Sequence, residues 1–182
     1  MDEIDWSDCL IGIKGTRGVG KTTFLLQYAK EKFGTDRSCL FINMNNFYFS
    51  GHSIVDFANE FQKRGGKVLL IDQVFKHPEW SKELRMCYDR FPNLNIVFTG
   101  SSVMRLKEEN LELRDIAKSY HLRGFSFREF LNLQTGMKFR AYSLEEILST
   151  HEQIAKGVLS KVRPLDYFQD YLHHGFYPFF IE

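Results

Sequence analysis

The chain has 182 residues, with 24 Lys and Arg against 23 Asp and Glu, so its formal charge is +1 and its length suits one sizeable core with a small appendage. That balance carries no electrostatic footprint for a phosphate backbone, and nucleic acid is not indicated as a partner. No run approaches the roughly 18 apolar residues of a membrane span, and Cys9, Cys39 and Cys87 lack the spacing of a disulfide framework or zinc knuckle, so a reducing cytoplasm is the expected location.

The chain opens on Met1-Asp2-Glu3, without the basic and apolar regions of a signal peptide. Cys9-Leu10-Ile11-Gly12-Ile13 then reads as a short buried strand that runs into a glycine-rich loop. Phe24, Leu25, Tyr28, Ala29 and Phe33 follow at helical spacing, and Gly34 closes that helix. A second strand is expected at Cys39-Leu40-Phe41-Ile42, followed by a helix capped by Ser53 and carrying Ile54, Phe57, Ala58 and Phe61. Gly65-Gly66 ends it before the most apolar strand, Val68-Leu69-Leu70-Ile71-Asp72. Trp80, Leu84, Cys87, Tyr88 and Phe91 describe another amphipathic helix, and Asn95-Ile96-Val97-Phe98-Thr99 a fourth strand. This alternation implies an α/β fold with a parallel sheet covered by helices.

Beyond Gly100-Ser101-Ser102 the pattern weakens, and the polar stretch around Lys107-Glu108-Glu109-Asn110 reads as a solvated face or loop. A fifth strand is expected near Ser119-Tyr120-His121-Leu122. Two capping boxes, Ser126-Phe-Arg-Glu129 and Ser143-Leu-Glu-Glu146, each open an apolar helical run, and Pro164 at a first helical position starts a last helix through Phe168 and Leu172. The expected division is a core over residues 1–124 and a helical extension over 125–182. The six His residues are scattered, and no metal site is expected among them.

Gly15-Thr16-Arg17-Gly18-Val19-Gly20-Lys21-Thr22 is the segment that carries chemistry. Small residues turning into a helix supply successive backbone N–H groups and the positive end of the helix dipole, which suits phosphate. Lys21 can reach the β and γ phosphates, and the Thr22 hydroxyl can ligate Mg²⁺, a cation that takes oxygen ligands. Asp72, ending its apolar strand, stands where an acidic partner for the magnesium shell is needed. The next residue is Gln73, where many ATPases of this kind have Glu; Gln can position water but cannot take its proton. Thr99, Ser101 and Ser102 would sense the γ-phosphate if their strand lies between the loop strand and the Asp72 strand. Arg114, Arg123 and Arg128 are candidates for transition-state charge, against the plainer reading as surface arginines. Adenine is preferred over guanine because no Asn-Lys-x-Asp reader occurs.

Four segments together resemble a known family: Lys14 to Tyr28 around the loop, Ile71 to Trp80, Phe98-Thr-Gly-Ser-Ser102, and Leu122 to Phe130. They are similar to the prokaryotic AAA-type ATPases that carry a C-terminal domain of unknown function related to restriction nucleases. Tyr171 to Pro178 looks like that family's segment leading towards its second domain. The resemblance implies a five-stranded AAA-type sheet and ATP or ADP with Mg²⁺ held by the loop through Thr23, by Asp72, and by a sensor at Thr99 or Ser101. Three positions depart from the family pattern. Asp72-Gln73-Val74-Phe75 replaces Asp-Glu-Ile-His, Asn45 or Asn46 falls where an acidic residue is common, and paired arginines are common where Asp115 and Ile116 align; a shift of one residue brings in Arg114. Hydrolysis and the arginine trigger are what these departures weaken. The family's larger C-terminal domain does not occur in these residues, so a fragment or a short member is expected, with self-association or that attached domain as partners. A nucleotide-sensing interaction module and a small-molecule kinase are the competing readings, the second needing an arginine-bearing lid.

Overall fold

A computed structural model describes residues 4–101 and 111–181. The chain divides into two compact units, residues 1–123 and 124–182.

The first unit alternates strand and helix: β1 (Leu10–Gly15), α1 (Lys21–Lys32), β2 (Cys39–Asn43), α2 (Ile54–Lys63), β3 (Val68–Asp72), α3 (Trp80–Arg90), β4 (Asn95–Ser101) and β5 (Lys118–His121). The strands form one parallel sheet in the order β2-β3-β4-β1-β5. Parallel strands bury both faces, which is why β3 reads as an unbroken apolar run. Its side chains alternate: Leu69 and Ile71 join Ile96 and Phe98 against Ile54, Ala58, Leu84 and Cys87 of α2 and α3. Val68 and Leu70 join Ile11, Ile13 and Val97 against Leu25 and Tyr28 of α1. The result is a helix–sheet–helix sandwich.

The topology matters for chemistry because β4 lies between β1 and β3. Thr99 thereby stands between the loop strand and the Asp72 strand, the condition on which its sensor reading depends. β1 runs on through Gly15, two residues beyond the apolar segment seen in the sequence, so the glycine-rich loop leaves directly from the sheet. The expected loop around residues 107–110 and Ser102 lie outside the described residues.

In the second unit, α4 (Phe127–Thr135) and α5 (Leu144–Leu159) both begin with complete capping boxes, Ser126 with Glu129 and Ser143 with Glu146. Gly136 ends α4 in the left-handed region at φ 68°. Pro164 precedes α6 (Leu165–Asp170) as its N-cap with helical φ and ψ, one position earlier than the sequence suggests, and the chain continues as a π-turn over Tyr171–Gly175. Phe127, Phe130, Phe168 and Tyr171 form an aromatic cluster, and the Tyr171 hydroxyl donates to the Phe125 carbonyl at 2.9 Å. A Cβ on Gly175 would run into the Phe130 ring, so only glycine lets the turn close on that cluster.

Candidate functional site

The loop between β1 and α1 is shaped by three glycines with distinct jobs. Gly18 and Gly20 have φ of 89° and 87°, where a Cβ is strongly disfavoured. Gly15 passes so close to the Leu122 carbonyl that a Cβ would collide with it. Val19, only 4% exposed, anchors the loop apolar side down, while Thr16 and Arg17 remain exposed. No side chain of the described residues caps α1, leaving the amides of Lys21, Thr22 and Thr23 as the free donors of its first turn.

The Lys21 ammonium folds back over this cradle and donates to the Gly15 and Thr16 carbonyls, both at 2.8 Å. Burial pushes its pKa below the ordinary lysine value, with the Asp72 carboxylate acting the other way.

Asp72 ends β3 with 1% of its surface exposed. A buried carboxylate must be supplied with donors, and three converge on it. The Thr22 hydroxyl donates to Oδ2 at 2.8 Å, the Asn43 amide donates to the same oxygen at 3.0 Å, and the Thr99 hydroxyl donates to Oδ1 at 2.5 Å. Thr99, fully buried, also accepts from the Gln73 N–H at 2.9 Å. Gln73 has φ 55° and ψ 44°, the sole left-handed non-glycine among the described residues. The strand end therefore turns sharply at Gln73.

The structure thus brings together Lys21, Thr22, Asp72 and Thr99, with Gln73 joined through its backbone. Ser101 pairs in register with Gly15, beside the root of the loop. Thr23 is exposed on α1. Arg114 is exposed on the turns before β5, and no hydrogen bond among the described residues joins it to Lys21 or Asp72. Arg123 closes the first unit, and Arg128 donates to the Phe139 carbonyl within the second. Asn43 is the residue sequence reasoning missed: attention to an acidic position fell on Asn45 and Asn46, whereas it is Asn43 whose side chain meets Asp72.

A cleft of about 640 Å³ opens beside this cluster, lined by residues following β2 and β3, among them Asn45, Phe47, His52, Lys76, His77 and Glu83. It does not include the glycine-rich loop, whose Gly15 and Thr16 carbonyls accept from Lys21.

A glycine-rich loop opening a helix, a buried strand-end aspartate bonded to the loop threonine, and a central strand between the two define a P-loop nucleotide-binding domain. The family described as AAA domain matches residues 7–131, more than half of the sequence. The chain belongs to that family and is an ATPase-type nucleotide-binding domain. Among solved structures it is similar to the Aeropyrum pernix Orc1 protein in complex with DNA, at 12% identity and a TM-score of 0.46. That match covers 68% of this chain, which spans 41% of the Orc1 chain. No curated protein matches the sequence. Among the described residues, no helix is long and apolar enough to cross a membrane.

Proposed function

We propose that this chain binds Mg-ATP through the loop Gly15 to Thr23, with Asp72 completing the magnesium shell, and hydrolyses it slowly because Gln73 replaces a proton-accepting carboxylate. The observation that carries the reading is the Thr22–Asp72 hydrogen bond, which joins a hydroxyl and a carboxylate from separate elements at the mouth of an amide-lined loop. Their oxygens suit magnesium, a hard cation. The positive-φ glycines bring no side chain of their own into the loop, and the residues present fit a nucleotide phosphate chain.

Lys21 would exchange its two carbonyl acceptors for phosphate oxygens, a charge-assisted contact of about 1.5–3 kcal/mol. Bound Mg²⁺ would neutralise phosphate charge and polarise the terminal phosphoryl group. Thr99, held between Asp72 and the Gln73 backbone, and Ser101, in register with Gly15, would sense the terminal phosphate. The Gln73 side chain would orient a water molecule without deprotonating it, and general-base assistance is commonly worth about 10²- to 10⁴-fold in rate. Arg114, exposed and with no hydrogen bond to Lys21 or Asp72 among the described residues, would supply charge from a second copy. Turnover would reposition an attached domain or partner.

The second reading, a nucleotide-sensing module that binds ATP without cleaving it, is favoured by Gln73 itself. Steady-state phosphate release from Mg-ATP separates the two when the unaltered chain, Gln73→Glu and Lys21→Ala are compared. Slow release that rises at least tenfold in Gln73→Glu and vanishes in Lys21→Ala supports the hydrolytic reading. Release by Lys21→Ala equal to that of the unaltered chain would remove the loop from the account.

A further inference from the structure

Asp72 Oδ2 accepts two hydrogen bonds, from the Thr22 hydroxyl and from Asn43 Nδ2. The Thr22 bond is the one that metal loading must alter, because a hydroxyl drawn to a cation reorients its proton. Without another donor, Oδ2 of a carboxylate that is 1% exposed would keep no fixed protein partner as the cation arrives, and nothing on that side would set its orientation. Asn43 lies on a different strand and has no such conflict.

Its orientation is set independently of Asp72. Asn43 Oδ1 accepts from the Asn45 N–H at 2.8 Å, which fixes which side of the amide is oxygen and turns the NH₂ group to Asp72. Asn43 and Asp72 are register partners at the ends of β2 and β3, and the Met44 N–H donates to the Asp72 carbonyl at 3.0 Å just beyond them. Main chain and side chain therefore hold the aspartate together.

Resting on the reading of Thr22 and Asp72 as magnesium-site residues, we propose that Asn43 is a positioning residue that holds the Asp72 carboxylate in place while Thr22 is engaged by the cation. Asn43 touches neither nucleotide nor metal. It sets how much magnesium adds to nucleotide affinity, leaving metal-free affinity unchanged.

The test is the affinity of the full chain for a fluorescent ATP analogue in excess magnesium and in EDTA, for the unaltered chain, Asn43→Ala and Asn43→Leu. The expected result is that affinity in EDTA stays within about twofold while the magnesium-dependent gain falls at least tenfold, the usual scale for losing an outer partner of a metal ligand. Equal losses in both conditions would make Asn43 a merely structural residue, and an undiminished magnesium gain would remove it from the site; either overturns the proposal. A double-mutant cycle of Asn43→Ala with Asp72→Ala, read from urea unfolding without nucleotide, separates the magnesium site from the Asn43–Asp72 bond. If the unaltered chain shows no magnesium gain, the magnesium-site reading fails and this proposal with it, and non-additivity of about tenfold in the unfolding constant would then show that the Asn43–Asp72 bond exists for stability alone.

Discussion

Asp72 receives its donors from three elements: Thr22 from α1, Asn43 from β2 and Thr99 from β4. Thr99 is the partner whose removal is most cleanly read, because Val keeps its shape while stripping a donor from Asp72 and an acceptor from the Gln73 N–H. Thr99→Val should destabilise the chain by about 1–3 kcal/mol, measured by urea unfolding without nucleotide. Gln73 poses a different question. A non-glycine residue in the left-handed region costs roughly 1–2 kcal/mol, so Gln73→Gly should leave stability unchanged or raise it by up to about 1 kcal/mol, whereas β-branched Gln73→Val should lower it. Loss of stability in both would show that the Gln73 side chain, and not its backbone, is what the fold needs there. Lys21, Thr22 and Asp72 were legible in the sequence because a phosphate cradle and an apolar run ending in Asp are local patterns. Asn43 was not, since its partner lies 29 residues away and is specified by which strands pair.

Elements were legible to the extent that their signals are local. The apolar runs of β2, β3 and β4 lie where the alternation placed them, and Ser126 and Ser143 both form complete capping boxes. The 3₁₀ turn at Phe47–Ser50 and the π-turn at Tyr171–Gly175 carried no comparable signal, because hydrogen bonding after an Asn cap and packing among aromatic rings shape them. Capping predicts that Ser126→Ala costs about 1 kcal/mol in the urea unfolding of the second unit. On α3, Cys87 is fully buried, and burial pushes its thiol up to about 12 from an ordinary 9.0. Cys87 should therefore resist alkylation at pH 8 until the chain unfolds, as peptide mass spectrometry would show. The linkage sign follows: the unfolded thiol ionises from pH 9 upward while the folded one stays neutral, so this group favours folding below pH 9 and loses that contribution towards pH 12. The stability gap between the unaltered chain and Cys87→Ala should narrow over that window.

At the scale of the molecule, strand order was the feature least open to sequence reading. The parallel alternation was legible in composition and spacing, yet the placement of β4 between β1 and β3 depends on long-range packing of both sheet faces. That placement joins Thr99 to Asp72. Nucleotide should act as a stabilising ligand of the first unit: at about 100 times the dissociation constant, binding adds about 2.7 kcal/mol. For a chain of this size that corresponds to a rise in melting temperature of roughly 5–10 °C, read by a thermal scan with and without Mg-ATP.

The most direct test is calorimetric titration of Mg-ATP into the unaltered chain and into Lys21→Ala. Saturable binding to the unaltered chain is expected, weakened at least about tenfold by the substitution through loss of a charge-assisted contact. Equal affinity in both proteins, or no heat of binding to the unaltered chain, would contradict it.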